Sequence, residues 1–198
     1  MEKTNLILEP EIRSELEKIS SILEILKTSS SSICSCMVDD EMERTSVLDE
    51  IRSKIRAAKR ELKQVGYVAM DVSPQEFFDY MTGDIFSEDP TTLRDVLGNE
   101  YIMIHELVEI SELKKMGRTI DKRVIVDSPK TAIYTAHFTA METELSYSLH
   151  KGDTYWAKWR LKTHKTSVLD ADPNLPEEMR PRAEEIFKRF SKLIETYT

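Results

Sequence analysis

The chain has 198 residues, of which 32% are charged and 40% hydrophobic, and it carries a net charge of −8 at pH 7. This balance is typical of a folded, soluble protein and argues against a disordered tail, while the acidic surface argues against non-specific binding of nucleic acid or anionic membranes. With only 5 glycines and 7 prolines there is little material for tight hairpins, so the composition favours helices over a β-sandwich.

Two N-terminal segments carry the heptad pattern of apolar residues that is typical of paired helices. We predict a first helix from about residue 9 to 27 and a second from about 40 to 64, which Gly66 ends. The two helices would pack against each other as an antiparallel hairpin, or they would pair with the same helices of a second copy. The apolar positions are Ile12, Leu16, Ile19, Leu23 and Leu26 in the first helix and Leu48, Ile51, Ile55, Ala58, Leu62 and Val65 in the second.

A serine-rich segment, residues 28–36, separates the two helices and is predicted to be a flexible linker. Its Cys34 and Cys36 are separated by one residue, so a disulfide between them would not link distant parts of the fold. The chain has no other cysteine to complete a metal site. We interpret them as incidental thiols. The domain prediction is therefore a helical hairpin or arm over residues 1–66 and a helical core domain over residues 67–198.

The first part of the core domain contains two helix-start signals. Residues 67–72 are predicted to be a short strand or an extended linker. Ser73-Pro74-Gln75-Glu76 reads as a capping box with proline at the first helical position, and it opens a short helix that ends near Gly83. Asp89-Pro90 opens a long helix in the same way, which is predicted to continue to Met116.

The second part of the core domain contains three further helices. Residues 123–127 are a buried connector or a single short strand. Ser128-Pro129 caps a helix that ends at Gly152, another helix runs from 153 to about 164, and the last runs from 176 to about 196. The fold class is therefore all-α, a bundle of about five helices with an N-terminal heptad hairpin. The apolar face of the last helix is formed by Met179, Ala183, Ile186, Phe187, Phe190 and Leu193.

Two ionisable residues interrupt an apolar face in the helix that ends at Gly152. His137 and Glu144 are two helical turns apart, and burial of such groups is costly unless they are paired. Glu100, on the preceding long helix, would reach the same layer if the two helices pack antiparallel. Two carboxylates and an imidazole on facing helices suit a metal site or an acid–base pair, so a divalent metal is a candidate cofactor. The alternative is a hydrogen-bonded buried pair that fixes the register of the helices.

A second set consists of His105, Glu109 and Glu112, which project from one face of the long helix at spacings of four and three. That spacing suits metal ligands, so this set is the secondary candidate for a metal site. We interpret it instead as the solvated side of an amphipathic helix, because it lies opposite the apolar stripe that contains Leu107.

A third set breaks the overall acidity of the chain. Between Lys151 and Lys165, cations alternate with aromatic residues, a combination that suits phosphate binding with base stacking. On a helical wheel we place the tryptophans on one face, as anchors in the core, and the lysines on another, as a solvated rim. The candidate nucleic-acid contacts are Lys158, Arg160 and Lys162.

Glycine-rich phosphate loops, dinucleotide fingerprints and nucleophile elbows are absent from the sequence. The leading prediction is a protein that binds a protein partner or a second copy of itself. The alternative is a metal-binding or metal-dependent hydrolytic protein with an interior Glu/His site, and the third is a nucleic-acid adaptor, against which the net charge argues. Whether the protein is an enzyme stays open. We expect a cytoplasmic protein with no membrane partner, because the N-terminus lacks a signal-peptide pattern and no apolar run approaches the roughly 20 residues of a membrane span.

Overall fold

The computed structural model describes residues 44–86 and 91–197. Leu48–Thr198 form one of two compact units of the chain, and the fold described here is that of this unit together with residues 44–47, where its first helix begins. All regular structure in the described ranges is helical, which confirms the predicted all-α class, although there are eight α-helices rather than about five. The first heptad helix, the serine-rich linker and both cysteines lie outside the described residues.

The connections between consecutive helices differ in length: Asn99 alone separates one pair, and residues 65–73 separate another. Across the described ranges, none is both long and apolar enough to cross a membrane. In chain order they are α1 (44–64), α2 (Pro74–Met81), α3 (Leu93–Gly98), α4 (Glu100–Lys115), α5 (Val124–Asp127), α6 (Lys130–His150), α7 (Thr154–Thr163), a π-helical turn (His164–Leu169), a 3-10 turn (Glu177–Met179) and α8 (Arg180–Thr196).

The apolar seam predicted in the second heptad helix is largely buried in α1. Ile51, Ile55, Ala58 and Leu62 are all buried. The neighbouring Glu61 accepts a hydrogen bond of 3.0 Å from the hydroxyl of Tyr147 on α6. These four seam residues are therefore covered within the chain and are not presented to a second copy.

Helices α4 and α6 form the centre of the fold and pack against each other along most of their lengths. They run antiparallel, because His105 near the start of α4 contacts Glu144 near the end of α6, while Glu109 further along α4 contacts His137 earlier on α6. Helix α4 is buried on nearly all sides, and ten of its sixteen residues are buried. A helix in this position has no solvated face, so its polar side chains must find partners inside the protein.

The prediction of one long helix from Asp89 to Met116 is wrong, because the helix is interrupted at Asn99. Asn99 adopts an extended conformation (φ −130°, ψ 120°), and its side-chain oxygen accepts hydrogen bonds from the backbone N–H groups of Tyr101 and Ile102. This side-chain cap ends α3 and begins α4. The sequence signal was the Gly98-Asn99 pair, which disfavours a continuous helix.

Other helix boundaries were predicted with mixed success. The capping box at Ser73 is confirmed, with Ser73 and Glu76 bonded in both directions. The predicted cap at Ser128 is wrong, because the residue before α6 is Pro129 and it makes no side-chain capping bond. Residues Val124–Asp127 form a short helix rather than a strand.

A second hydrophobic core lies where α6, α7 and α8 meet. The predicted apolar face of the last helix is buried there at Ala183, Ile186 and Phe190, although Leu193 is exposed. This core fixes α7 beside α6, which places the inner face of α7 next to Glu144. The buried members of the core are Tyr134, Phe138, Met141, Leu145, Leu149, Ala157, Leu161, Leu175, Ala183, Ile186, Phe190 and Ile194.

Candidate metal centre

Three donor atoms from α4 and α6 meet in a small triangle. The Nε2 atom of His105 lies 3.2 Å from Nδ1 of His137 and 3.3 Å from Oε2 of Glu109. The third side, between Nδ1 of His137 and Oε2 of Glu109, is also 3.3 Å. This triad, defined here as His105, Glu109 and His137, is a group of donors that could hold a metal ion.

The backbone explains why these three side chains converge. His105 and Glu109 are one helical turn apart on the face of α4 that packs against α6, and His137 faces them from α6. His105 and Glu109 are buried, whereas the side chain of His137 is 24% exposed. The triad therefore lies inside the helical packing, and His137 is its most exposed member.

A second group of side chains contacts His105 at Nδ1, the ring nitrogen that does not face the triad. Its Nδ1 atom lies 2.8 Å from Oε2 of Glu144, which is fully buried. Glu144 in turn accepts hydrogen bonds from Nε1 of Trp156 at 2.8 Å and from Nε of Arg160 at 2.9 Å. An imidazole that donates one N–H to a carboxylate and turns its other nitrogen to a metal is the usual support of a histidine ligand.

Glu109 is supported in the same way. The hydroxyl of Tyr80, on α2, donates a hydrogen bond of 2.9 Å to Oε1 of Glu109. Its second oxygen, Oε2, remains directed at the two histidines. The carboxylate is thus held with one oxygen occupied and one facing the triad, which is the arrangement of a monodentate ligand.

Protons alone cannot satisfy all three contacts of the triad. If His105 carries a proton on Nε2, that proton serves the contacts with His137 and Glu109, but the contact between His137 and Glu109 then joins two lone pairs. A proton on His137 instead leaves the contact between His105 and Glu109 unsatisfied, and protons on both histidines bring two N–H groups together. A cation between the three atoms uses all three lone pairs at once.

The size of the triangle fits a tetrahedral ion. Ligand bonds of about 2.0 to 2.1 Å in tetrahedral geometry separate the donor atoms by about 3.3 to 3.4 Å, as for Zn²⁺. The same bonds in octahedral geometry, as in a two-histidine, one-carboxylate iron site, separate adjacent donors by about 2.8 to 3.0 Å. The observed separations of 3.2 and 3.3 Å are closer to the tetrahedral value.

The electrostatics of the metal-free protein favour charged groups in this interior. Burial alone would lower the pKa of His105, but its hydrogen bonds to Glu109 and Glu144 outweigh burial and raise the pKa to about 9. Burial would raise the pKa of Glu144, yet the charge of Arg160 and the bond to His105 lower it to about 2. The pKa of Glu109 is also lowered, because its bonds to the two histidines outweigh its burial. Two carboxylates, one imidazolium and one guanidinium therefore balance in charge.

The structure brings together only part of the predicted primary site. His137 lies in the triad and Glu144 lies behind His105, but Glu100 does not reach either residue. The side chain of Glu100 is 52% exposed and lies 3.4 Å from the hydroxyl of Tyr147. The reason is its position in the first turn of α4, before the helix enters the region that packs against His137 and Glu144.

The predicted secondary set was interpreted wrongly as a solvated face. His105 and Glu109 are buried and form two corners of the triad. Glu112 lies apart from them, where it accepts hydrogen bonds from the hydroxyl of Tyr67 and from the ammonium group of Lys115. The missed signal was the apolar sequence on both sides of His105 and Glu109, which is unusual for a solvated helix face.

Of the three nucleic-acid contacts predicted from the sequence, one is directed into the protein and two are exposed. Arg160 points inward to Glu144, so it is not a surface cation. Lys158 and Lys162 are exposed. The placement of Trp159 in the core is wrong, since Trp159 is 45% exposed beside these lysines, whereas Trp156 is half-buried and donates a hydrogen bond to Glu144.

No protein family, curated protein or solved structure matches this chain. The geometry of the triad and of the residues around it is therefore what indicates a function.

Proposed function

We propose that this protein binds a zinc ion through Nε2 of His105, Nδ1 of His137 and Oε2 of Glu109. The observation that carries the proposal is the triangle of donor atoms, whose three sides of 3.2 to 3.3 Å suit a tetrahedral ion. Glu144 behind His105 and Tyr80 behind Glu109 support the two buried ligands. The metal-binding function is the alternative predicted from the sequence, with a different set of ligands.

The fourth ligand position favours a reactive site over a purely structural one. Within residues 44–86 and 91–197, no fourth histidine, cysteine or carboxylate joins the triad. Structural zinc sites are usually closed by four protein ligands, whereas catalytic sites keep one position for water. Replacing the proton of His105 by a divalent cation leaves one excess positive charge, which a metal-bound hydroxide would balance. Metal-dependent hydrolysis is therefore the reaction class that we propose, with water as the fourth ligand.

The metal proposal is tested by stoichiometry and affinity. We expect the purified full chain, stripped and then reloaded, to bind one zinc ion per chain in competition with a chromogenic chelator. His137→Ala is expected to weaken binding at least about 100-fold, because it removes one of three ligands. His150→Ala is the matched control, since His150 is an exposed histidine on the same helix. Equal affinities of the two variants would contradict the proposal.

The open position has its own test, in which Co²⁺ replaces zinc. A site with three protein ligands and a water should change its visible absorption when azide displaces the water, and a site closed by four protein ligands should not. The double variant Cys34→Ser and Cys36→Ser shows whether either cysteine closes the site. An azide response that appears only in this double variant would retain zinc binding but overturn the hydrolytic reaction class.

Binding of a protein partner, the leading prediction from the sequence, remains a second proposal with less support. The first heptad seam lies outside the described residues, and four positions of the second are buried within the chain. Comparing the molar mass of the full chain with that of a chain lacking residues 1–44 tests self-association. An unchanged oligomeric state would count against it.

A further inference from the structure

The outer face of α7 carries two aromatic and two basic residues in one contiguous patch. Tyr155, Lys158, Trp159 and Lys162 occupy positions i, i+3, i+4 and i+7, which fall on one side of a helix. Tyr155 is 83% exposed, Trp159 is 45% exposed and both lysines are exposed. We name these four residues the outer patch. Their helical positions place cations and rings side by side, in contrast to the separate faces predicted from the sequence.

The aromatic part of the outer patch is the open end of a series of rings. The ring of Tyr101 stacks on Trp156 with a centroid separation of 4.8 Å and an interplanar angle of 24°. Trp156 contacts Trp159 at 4.9 Å. The partly exposed Trp159 is thus held by aromatic packing from the interior side and presents ring surface to solvent. Such a surface suits another planar ring.

The two lysines of the outer patch have no ionic partner in the part of the chain that the structure describes. Other nearby cations are already engaged, since Lys165 forms an ion pair with Asp170 at 2.8 Å and Arg160 one with Glu144 at 2.9 Å. In a protein of net charge −8, two adjacent lysines without carboxylate partners form a local positive site. They complement a ligand that carries spaced negative charges.

We propose that the outer patch binds single-stranded nucleic acid, with bases stacking on Trp159 and Tyr155 and phosphates contacting Lys158 and Lys162. A planar base beside a charged phosphate is the repeating unit of this ligand, and exposed rings with adjacent cations are how proteins bind it without sequence preference. A duplex keeps its bases stacked inside and offers few ring faces. An anionic membrane would meet the acidic remainder of the surface, which opposes it over a wide contact area.

Two lysines predict a measurable salt dependence. Each phosphate contact on a single strand contributes a slope of about −0.7 to the plot of log affinity against log salt. We therefore expect a slope of about −1.4 for the full chain and about −0.7 for Lys158→Ala. The net negative charge weakens the absolute affinity, so the measurement starts at about 50 mM salt and continues to about 200 mM.

The experiment measures fluorescence anisotropy of labelled oligo(U) and oligo(dT), each about 12 nucleotides long, with the full chain. Tyr155→Ala and Trp159→Ala are each expected to weaken binding roughly tenfold, because each removes a stacking platform. The matched controls are Tyr197→Ala and Lys188→Ala, an exposed aromatic and an exposed cation at the C-terminal end of the chain, and they should bind as the unchanged chain does. Tyr155→Ala keeps the test valid if Trp159→Ala fails to fold, because Tyr155 is 83% exposed.

Three results would overturn the proposal. The first is no binding of either oligonucleotide at the lowest salt concentration. The second is equal loss of affinity in the variants of the outer patch and in the controls. The third is equal or tighter binding of a duplex, or binding of phosphatidylserine vesicles that depends on Trp159 while the oligonucleotides do not bind. The proposed zinc site plays no part in this experiment, so the two proposals fail independently.

Discussion

The Nδ1 atom of His105 lies 2.8 Å from Oε2 of Glu144, and this contact decides which nitrogen of the imidazole faces the triad. Since Nδ1 donates its proton to the carboxylate, Nε2 is directed at Glu109 and His137. Glu144 is therefore a positioning residue for the proposed metal site, although it does not touch the metal position itself. Its own orientation is fixed by Trp156 and Arg160.

Glu144→Gln is expected to weaken zinc binding about 10- to 100-fold while keeping one zinc ion per chain at saturation. The neutral amide keeps the size of the side chain but no longer stabilises the N–H of His105 as a carboxylate does. Chelator competition measures the affinity. Glu142→Gln is the control, because Glu142 lies on the same helix but pairs with Arg182 and Arg189 instead. A purely structural role for Glu144 would lower thermal stability and leave the zinc affinity unchanged.

Zinc binding near pH 7 is expected to release about one proton from the protein. The reason is that His105 has a pKa of about 9 in the metal-free protein, so its Nε2 atom is protonated until the metal displaces that proton. Calorimetric titrations in buffers with different ionisation enthalpies give the number of protons released. The part of this number that comes from His105 should decrease towards one half as the pH approaches about 9, while ionisation of the metal-bound water to hydroxide adds up to one further proton. A value of zero near pH 7 would contradict the proposed role of His105 as a ligand.

His164 is expected to make the protein less stable as the pH falls from about 6.5 to about 4. It is buried, its Nε2–H donates to the carbonyl of Ala183 at 3.0 Å, and Nδ1 has no partner among the described residues. Burial lowers its pKa to about 4, so in this pH window the unfolded chain binds more protons than the folded protein. The contribution is present above about pH 6.5 and is lost as the pH falls, by up to about 3 kcal/mol.

Urea unfolding at several pH values checks the contribution of His164. His164→Gln retains a donor for Ala183 but cannot titrate, so its free energy of unfolding should change less between about pH 6.5 and 4 than that of the unchanged chain. His150→Gln, at an exposed position, should retain the full change. Parallel curves for the unchanged chain and His164→Gln would contradict the prediction.

Two glycines are expected to respond in opposite directions to substitution by alanine. A Cβ at Gly83 would overlap the backbone carbonyl of Lys122, so Gly83→Ala should destabilise the protein by about 1 to 3 kcal/mol. A Cβ at Gly98 meets no atom within 4 Å. Because alanine is the better helix former, Gly98→Ala should stabilise the protein by about 0.5 to 1 kcal/mol. Thermal unfolding of both variants measures the difference, and a tolerated Gly83→Ala would show that the loop can move away from Lys122.

The sequence predicted the fold class and several helices because their signals are local. The capping box at Ser73 and the apolar face of the last helix depend on residues a few positions apart, and both are found in the structure. The predicted long helix failed at Asn99, where a side-chain cap competes with helix continuation. That competition is also local, and the Gly98-Asn99 pair in the sequence indicates the interruption.

The candidate site was only half predictable because its members depend on the packing of α4. A helical wheel gives each helix one apolar and one solvated face, and on such a wheel His105 and Glu109 fall on the solvated face. Helix α4 is enclosed on nearly all sides, and in that environment the same polar face becomes an interior site. The contact between facing helices also decides between Glu100 and Glu109 as the partner of His137, and periodicity within one helix carries no such information.

The ten-residue helix α7 presents Trp156 and Arg160 to Glu144 on one side and the outer patch to solvent on the other. A ligand that rotates or displaces this helix would alter the hydrogen bonds of Trp156 and Arg160 to Glu144. It would therefore change the orientation of the His105 nitrogen that faces the metal position. Thermodynamic linkage then requires reciprocity, so any factor by which an oligonucleotide changes zinc affinity must equal the factor by which zinc changes oligonucleotide affinity. A rigid α7 would give a factor of one for both, and each ligand would bind as though the other were absent.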